Sequence, residues 1–273
     1  MARSNFHQLW DAAKGDLMTQ DVLLQVQGLT KRFGGLTALD DVSFEVFDSE
    51  ILGVIGPNGA GKSTLFNLIC GFLHPVNGKV IFKGQDITGL KPHQISSRGI
   101  TRCFQATRLF MNRAVLDNLL IGFFMSYKTG ILGTLLNSTS ARREEELARQ
   151  KATELMELIE LTRYSNQLAR DLAYGHRRLL GLGLALATNP CMLLLDEPTT
   201  GMNLSEKAKV IDLLGRLRQK GITVVLVEHD MSVVMGLCDR VIVLNYGRKV
   251  AQGSPKEISA NEEVIKAYLG AEE

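Results

Sequence analysis

Gly56-Pro57-Asn58-Gly59-Ala60-Gly61-Lys62-Ser63 decides how this 273-residue chain is read. It fits the phosphate-loop pattern GxxxxGK followed by Ser or Thr. The apolar run Ile51 to Ile55 precedes it, and Leu65 to Cys70 continues as a helix with Gly71 placed as its C-cap. Glycines let backbone N–H groups turn inward without a Cβ in the way, forming a nest for an anion. The helix beginning near Gly61 aims its partial positive end at the same point. Lys62 is then placed to reach β- and γ-phosphates, and the Ser63 hydroxyl to bind Mg²⁺. Gly56 through Thr64 are accordingly the expected cradle for ATP.

Two other apolar runs end in chemistry. Cys191 to Leu195 leads into Asp196-Glu197-Pro198, a hydrophobic strand followed by acid. Asp196 is placed to hold the Mg²⁺ through water, and Glu197 to polarise the attacking water as general base. Thr223 to Val227 leads into Glu228-His229-Asp230. In an open parallel sheet the C-terminal strand ends gather beside the ligand. His229 is therefore expected to donate to the γ-phosphate or to fix Glu197 and its water, so the catalytic set is Lys62, Glu197 and His229.

Composition excludes several classes. Hydrophobic residues make up 45% and charged residues 22%, enough for a sizeable core. A formal net charge of +2 provides no basic field to draw in nucleic acid. Cys70, Cys103, Cys191 and Cys238 stand far apart, with no CxxC pair and no histidine at zinc spacing, as thiols of a reducing compartment do. Met1 to Gln20 lacks the continuous apolar stretch of a secretory signal. Leu179 to Leu195 is almost wholly apolar, but Asn189-Pro190 splits it into a helix end and a strand start. Ala114 to Leu136 is interrupted by Asp117, Asn118 and Lys128. Any membrane role must come through a partner.

Residues 1–22 read as an extension carrying Phe6, Leu9 and Trp10. Leu23 to Val26 and Val42 to Val46 read as strands, and Asn77-Gly78 as a hairpin signal before the strand Lys79 to Phe82. Ala141 to Leu161 reads as a helix with Leu147, Leu155, Leu158 and Ile159 near one face. The last third alternates helix with the apolar runs Met192 to Leu195, Thr223 to Val227 and Arg240 to Leu244. The fold expected is α/β, with a mainly parallel sheet, an antiparallel β portion and a helical portion.

Taken together, the motifs resemble those of the ATP-binding subunits of ABC transporters, from about Leu23 to Gly270. The resemblance implies that Phe33 stacks on adenine, that Gln105 touches Mg²⁺ and senses a membrane partner, and that Leu172-Ala173-Tyr174-Gly175-His176 stands for the LSGGQ signature. It further implies that Thr200-Gly201-Met202-Asn203 is the D-loop. Serine of the signature is Ala173 here, its first glycine Tyr174 and its glutamine His176, leaving Gly175 and a helix from Arg177 onward to face an anion. The D-loop aspartate is Asn203. In the family the signature completes a partner's site, so Ala173, Gly175, His176 and Asn203 are expected to contact nucleotide held by a second ATPase. The implied domain covers 23–270, with a helical subdomain at about 106–188 and a C-terminal segment at about 245–270. Leu172-Ala173-Tyr174-Gly175 in place of LSGG, the insert with Gly130-Ile131-Leu132-Gly133 and Ala141-Arg142-Arg143-Glu144-Glu145, and the end from Tyr246 to Gly270 carry a narrower resemblance, to the larger ATPase of high-affinity branched-chain amino acid importers. It implies a second ATPase subunit, as a rule a different one with an identical one as the alternative, integral membrane permeases, indirectly a solute-binding protein, and a place on the cytoplasmic face of the inner membrane. Urea and short-amide importers share these features, while a lipid exporter or a soluble ABC ATPase is the more distant alternative. Arg108 to Leu120, with Phe110, Met111 and Arg113, is expected to form the permease groove.

Overall fold

The computed structural model describes residues 21–103, 109–126 and 139–269. It opens with two long strands, β1 (Val22–Phe33) and β2 (Leu36–Phe47), then β3 (Ile51–Ile55) and helix α1 (Lys62–Ile69). β4 (Asn77–Phe82), β5 (Gln85–Asp86), α2 (Pro92–Ser96) and β6 (Ile100–Cys103) follow. Three helices come next: α3 (Val115–Ser126), α4 (Thr139–Leu158) and α5 (Tyr174–Leu186). β7 (Met192–Asp196), α6 (Leu204–Gln219), β8 (Thr223–Val227), α7 (Met231–Leu237) and β9 (Arg240–Asn245) then alternate. β10 (Arg248–Gly253), α8 (Pro255–Ser259) and α9 (Glu262–Leu269) complete the order.

The central sheet runs β10-β9-β3-β8-β7-β6, parallel except at β10. β3, β7, β8 and β9 carry apolar runs because both of their faces are covered. Alternation of side chains divides them cleanly. Ile51, Ile55, Leu193, Leu195, Val224 and Leu226 join the core shared with the helices. Leu52, Val54, Leu194, Val225, Ile242 and Leu244 face the other way, toward α1 and the antiparallel sheet β2-β1-β4-β5. Each such side chain contributes about 1.5–3 kcal/mol by leaving water, so both layers are fixed to the same strands.

Several expectations shift. Asn77-Gly78 is not a hairpin turn: it opens β4, and Gly78 (φ +92) lies where the β1–β4 register jumps between Gln27 and Thr30. A Cβ there would come within 2.4 Å of the Gly28 carbonyl, so the glycine serves a bulge. The hairpin is one step later, at Lys83 (φ +51) and Gly84 (φ +72), between β4 and β5. On α4, Leu147 is exposed, and Ala148, Ala152, Leu155 and Met156 make the buried stripe, with Ile159 just beyond the helix. Val264 and Tyr268 of α9 pack on the core while Ile265 is exposed. Phe6, Leu9, Trp10 and Gln105 lie outside the described residues. No helix among them is long and apolar enough to cross a membrane.

Asn118, which as a sequence feature merely interrupts an apolar stretch, shapes the loop before α3. It is fully buried, its Oδ1 accepts the Phe110 N–H at 2.8 Å, and its Nδ2 donates to the carbonyls of Phe110 and Ala114. That loop presents Phe110, Met111 and Arg113 to solvent, whereas Val115 and Leu119 belong to the core.

Charge is buried at the N-terminal ends of the strands. Glu50, 1% exposed, accepts the Phe47 N–H at 2.7 Å and two 3.1 Å bonds from Arg240. Burial pushes its carboxyl from an ordinary 4.5 up to about 7, against the opposing pull of Arg240. The folded chain therefore keeps a proton that the unfolded chain releases. Stability from this group is full below about pH 4.5 and declines as pH rises toward about 7, by at most a few kcal/mol. Glu50→Gln is expected to flatten that decline. Urea denaturation at about pH 5 and about pH 8 tests it, and an unchanged difference between the two would exclude Glu50 as its source.

Candidate nucleotide-binding and hydrolysis site

β3 delivers the chain into the glycine loop at the C-terminal edge of the sheet. Gly59 (φ +78) and Gly61 (φ +103) take backbone angles that side chains resist, and a Cβ on Gly61 would come within 2.6 Å of the Ala38 carbonyl. Gly61 is the N-cap of α1, with no side-chain cap and no acidic residue in the first turn. The helix's own first turn therefore supplies no carboxylate to compete for its leading N–H groups. Lys62 Nζ donates to the carbonyls of Gly56 (2.6 Å) and Pro57 (2.9 Å), which folds the ammonium over the loop. Burial lowers its pKa, while Glu197 and Asp196 act in the opposite direction.

Phe33, Asn58 through Thr64, Asp196 and Glu197 line one cleft of about 390 Å³. The sequence singled out all of these. Leu36 and Tyr246, at its rim, were not singled out for the site, although they are 67% and 84% exposed. Tyr246 stands at φ +45 in the β9–β10 turn, next to Gly247, whose N–H bonds the Ala60 carbonyl at 3.1 Å. This exposed aromatic is thereby held beside the glycine loop.

Asp196 ends β7. Its Oδ2 accepts from Arg102 at 2.8 Å, and the same guanidinium donates to Asn67 Oδ1 of α1 at 2.6 Å. Arg102, on β6, is a residue that motif reasoning missed: nothing in Ile-Thr-Arg-Cys announces that its side chain joins β7 to α1. The oxygen donors Ser63 and Asp196 share the cleft. Among the described residues there is no group of three or more His, Cys, Asp or Glu able to hold a metal. A hydroxyl plus one carboxylate suits a hard cation that brings phosphate and water ligands with it, as Mg²⁺ does.

Glu197 takes φ +46, with its N–H bonded to Val227 O at 2.9 Å and its Oε2 accepting the Thr200 hydroxyl at 3.1 Å. Its Oε1 lies 3.8 Å from His229 Nδ1. Asp230, next to His229, caps α7 and pairs with Lys207 of α6; bonds from Lys207 and Ser232 hold its carboxyl down at about 2. The loop bearing His229 is thereby tied to α6.

Ala173, Gly175, His176 and Asn203 do not line this cleft; they stand where α5 and α6 begin. α5 starts at Tyr174, three residues before the expected Arg177, with Ala173 as its N-cap. Tyr174 OH donates to Thr200 O at 3.2 Å and accepts from Arg178. A Cβ on buried Gly175 would lie 2.4 Å from Glu206 Oε1. Asn203 Oδ1 caps α6 by accepting the Glu206 N–H at 3.0 Å. His176 packs on Tyr164 with ring centroids 4.5 Å apart, and burial lowers its pKa. The expected site residues thus fall into two groups, the cleft and this α5–α6 corner.

The profile of the ABC transporter family matches residues 39–200, and that of the branched-chain amino acid ATP-binding cassette transporter matches residues 248–273. The high-affinity branched-chain amino acid transport ATP-binding protein LivG of Escherichia coli (strain K12) is 42% identical over 249 residues, covering 91% of this chain and 98% of that protein. A solved ATP-binding cassette of an ABC transporter in its ADP conformation is 33% identical with a TM-score of 0.81, covering 92% of this chain and 99% of the other. A dimeric, post-hydrolysis ATP-binding cassette bound to ADP and Pi is 26% identical with a TM-score of 0.71, covering 85% and 99%.

Proposed function

The chain belongs to the ABC transporter ATP-binding family, and from that premise we propose that it is the ATPase subunit of an importer of branched-chain amino acids. The observation that carries the reading is the assembly of Lys62, Asp196 and Glu197 around one cleft at the C-terminal strand ends, with His229 beside Glu197. Lys62 and the N–H groups of Gly59 through Thr64 bind the β- and γ-phosphates. Phe33 stacks on the base. Ser63 and Asp196, with Gln105, would hold Mg²⁺, which would supply positive charge to offset that of the phosphates. Glu197 orients water on the γ-phosphate and takes its proton, and His229 steadies both.

The α5–α6 corner serves a second ATPase subunit. Ala173, Gly175, His176 and Asn203 meet the nucleotide in the partner's cleft, head to tail, as the family resemblance implies. ATP binds the closed pair more tightly than ADP does, so the cycle of binding, hydrolysis and release opens and closes the pair. Membrane permeases at the inner membrane's cytoplasmic face, docked near Phe110 and Arg113, convert that closing into transport of a solute delivered by a binding protein. The likeness at residues 248–273 and the name carried by the relative from Escherichia coli support the amino-acid solute.

Three measurements test this. The purified chain is expected to bind Mg-ATP, and a strain lacking its gene is expected to lose most high-affinity leucine uptake. Detergent extracts should yield multi-span permeases with the chain. Normal leucine uptake in the deletion strain together with lost urea uptake would move the solute assignment to the short-amide class.

A further inference from the structure

The carboxyl group of Glu228 has no part in the chemistry above, yet it is 1% exposed and immediately precedes His229. Its Oε1 accepts from Thr199 twice, from the N–H at 3.1 Å and the hydroxyl at 2.7 Å. Its Oε2 accepts the His229 N–H at 3.3 Å. Burying a carboxyl group is costly unless its oxygens find donors, and these donors come from the two loops that carry Glu197 and His229. Thr199 is itself 1% exposed. A side chain needed only to fill this space would be apolar.

The backbone of Glu197 supplies the second observation. At φ +46 a glutamate is held in a conformation costing about 1–3 kcal/mol, which persists only where the surroundings over-determine it. Here the turn after β7 is pinned to the end of β8 at three points. Glu197 N–H bonds Val227 O, and Thr199 bonds Glu228 through both its N–H and its hydroxyl.

We propose that Glu228 is a positioning residue which, through Thr199, holds Glu197 in its left-handed backbone and in register with His229. This rests on the reading of Glu197 as the base. When the clamp is loosened, the turn relaxes and the Glu197 carboxylate moves away from the water it must orient. A displacement of about 1 Å costs up to about 10²-fold in rate. ATP affinity is little changed, because the glycine loop and Lys62 supply it.

The test uses the full-length chain, with steady-state ATP hydrolysis, calorimetric Mg-ATP binding and thermal unfolding without nucleotide. Thr199→Val and Glu228→Met, which removes both acceptor oxygens at similar length, are each expected to lower kcat about 10-fold or more, with KM and binding within about 2-fold. Thr199→Ser keeps the hydroxyl and should retain the parent rate. The double variant Thr199→Val/Glu228→Met should be no slower than the slower single one, because both changes break one interaction. Unchanged kcat in both single variants overturns the proposal, as do multiplicative losses in the double one. A fall in kcat that comes with equal losses in binding and melting temperature marks a packing role and overturns it too. Glu197→Gln belongs in the same series: normal hydrolysis there removes the base and, with it, the reason for the clamp. An inactive Glu197→Gln beside fully active Thr199→Val and Glu228→Met removes the clamp alone.

Discussion

Glu197→Gln is expected to slow ATP hydrolysis by about 10²–10⁴-fold, the usual worth of a general base, while ATP stays bound. The substitution keeps the shape and an oxygen for the Thr200 hydroxyl, now 3.1 Å from Glu197 Oε2, but removes the proton acceptor. Binding should not weaken. Lys62 and the glycine loop are untouched, and Glu197 is one of the two charges acting on Lys62, so losing it leaves the ammonium freer to pair with phosphate. Because ATP favours the closed pair, the variant should accumulate as an ATP-bound dimer that ADP does not support. Size-exclusion chromatography with each nucleotide reads this, and a variant hydrolysing ATP at the parent rate would remove Glu197 as the base.

The parts of the fold that were legible are those where one physical demand acts alone. β3, β7, β8 and β9 are covered on both faces, so each is an unbroken apolar run, and the predicted bounds differ from the observed ones by a residue at most. The glycine loop was legible because backbone angles near Gly59 and Gly61 leave little choice of residue. What escaped depends on tertiary partners. β6 is four residues of mixed polarity whose identity as a strand comes from β7 beside it. Gly78 looked like a turn because a bulge and a hairpin both ask for a positive φ, and only the facing Gly28 carbonyl distinguishes them. Arg102 and Glu228 reach their site partners across 94 and 29 residues of chain, separations that no local pattern encodes. Asn118 reads as an interruption until the loop it bonds is in view.

Gly56→Ala is expected to cost on the order of 3 kcal/mol of stability, combining strain with overpacking, and to weaken Mg-ATP binding by at least about 10-fold. Gly56 stands at φ +149, and a Cβ there would lie 2.1 Å from the Leu244 carbonyl oxygen and 3.1 Å from Ala60 Cβ. Leu244 is fully buried in β9, whose neighbour Val243 pairs with Ile55. The backbone oxygen therefore cannot yield without opening the β3–β9 ladder. The loop must move instead, and the Gly56 carbonyl that holds Lys62 Nζ at 2.6 Å moves with it. A single methyl group thus displaces both the phosphate cradle and its lysine. Gly59→Ala is the matched control: Gly59 also has a positive φ, but its Cβ would meet nothing within 4 Å, so only the backbone term of about 1–2 kcal/mol applies. Thermal unfolding and calorimetry on the two variants separate contact from conformation. Equal losses in both would mean that backbone preference alone governs the loop, and that the approach of β9 to Gly56 plays no part in shaping it.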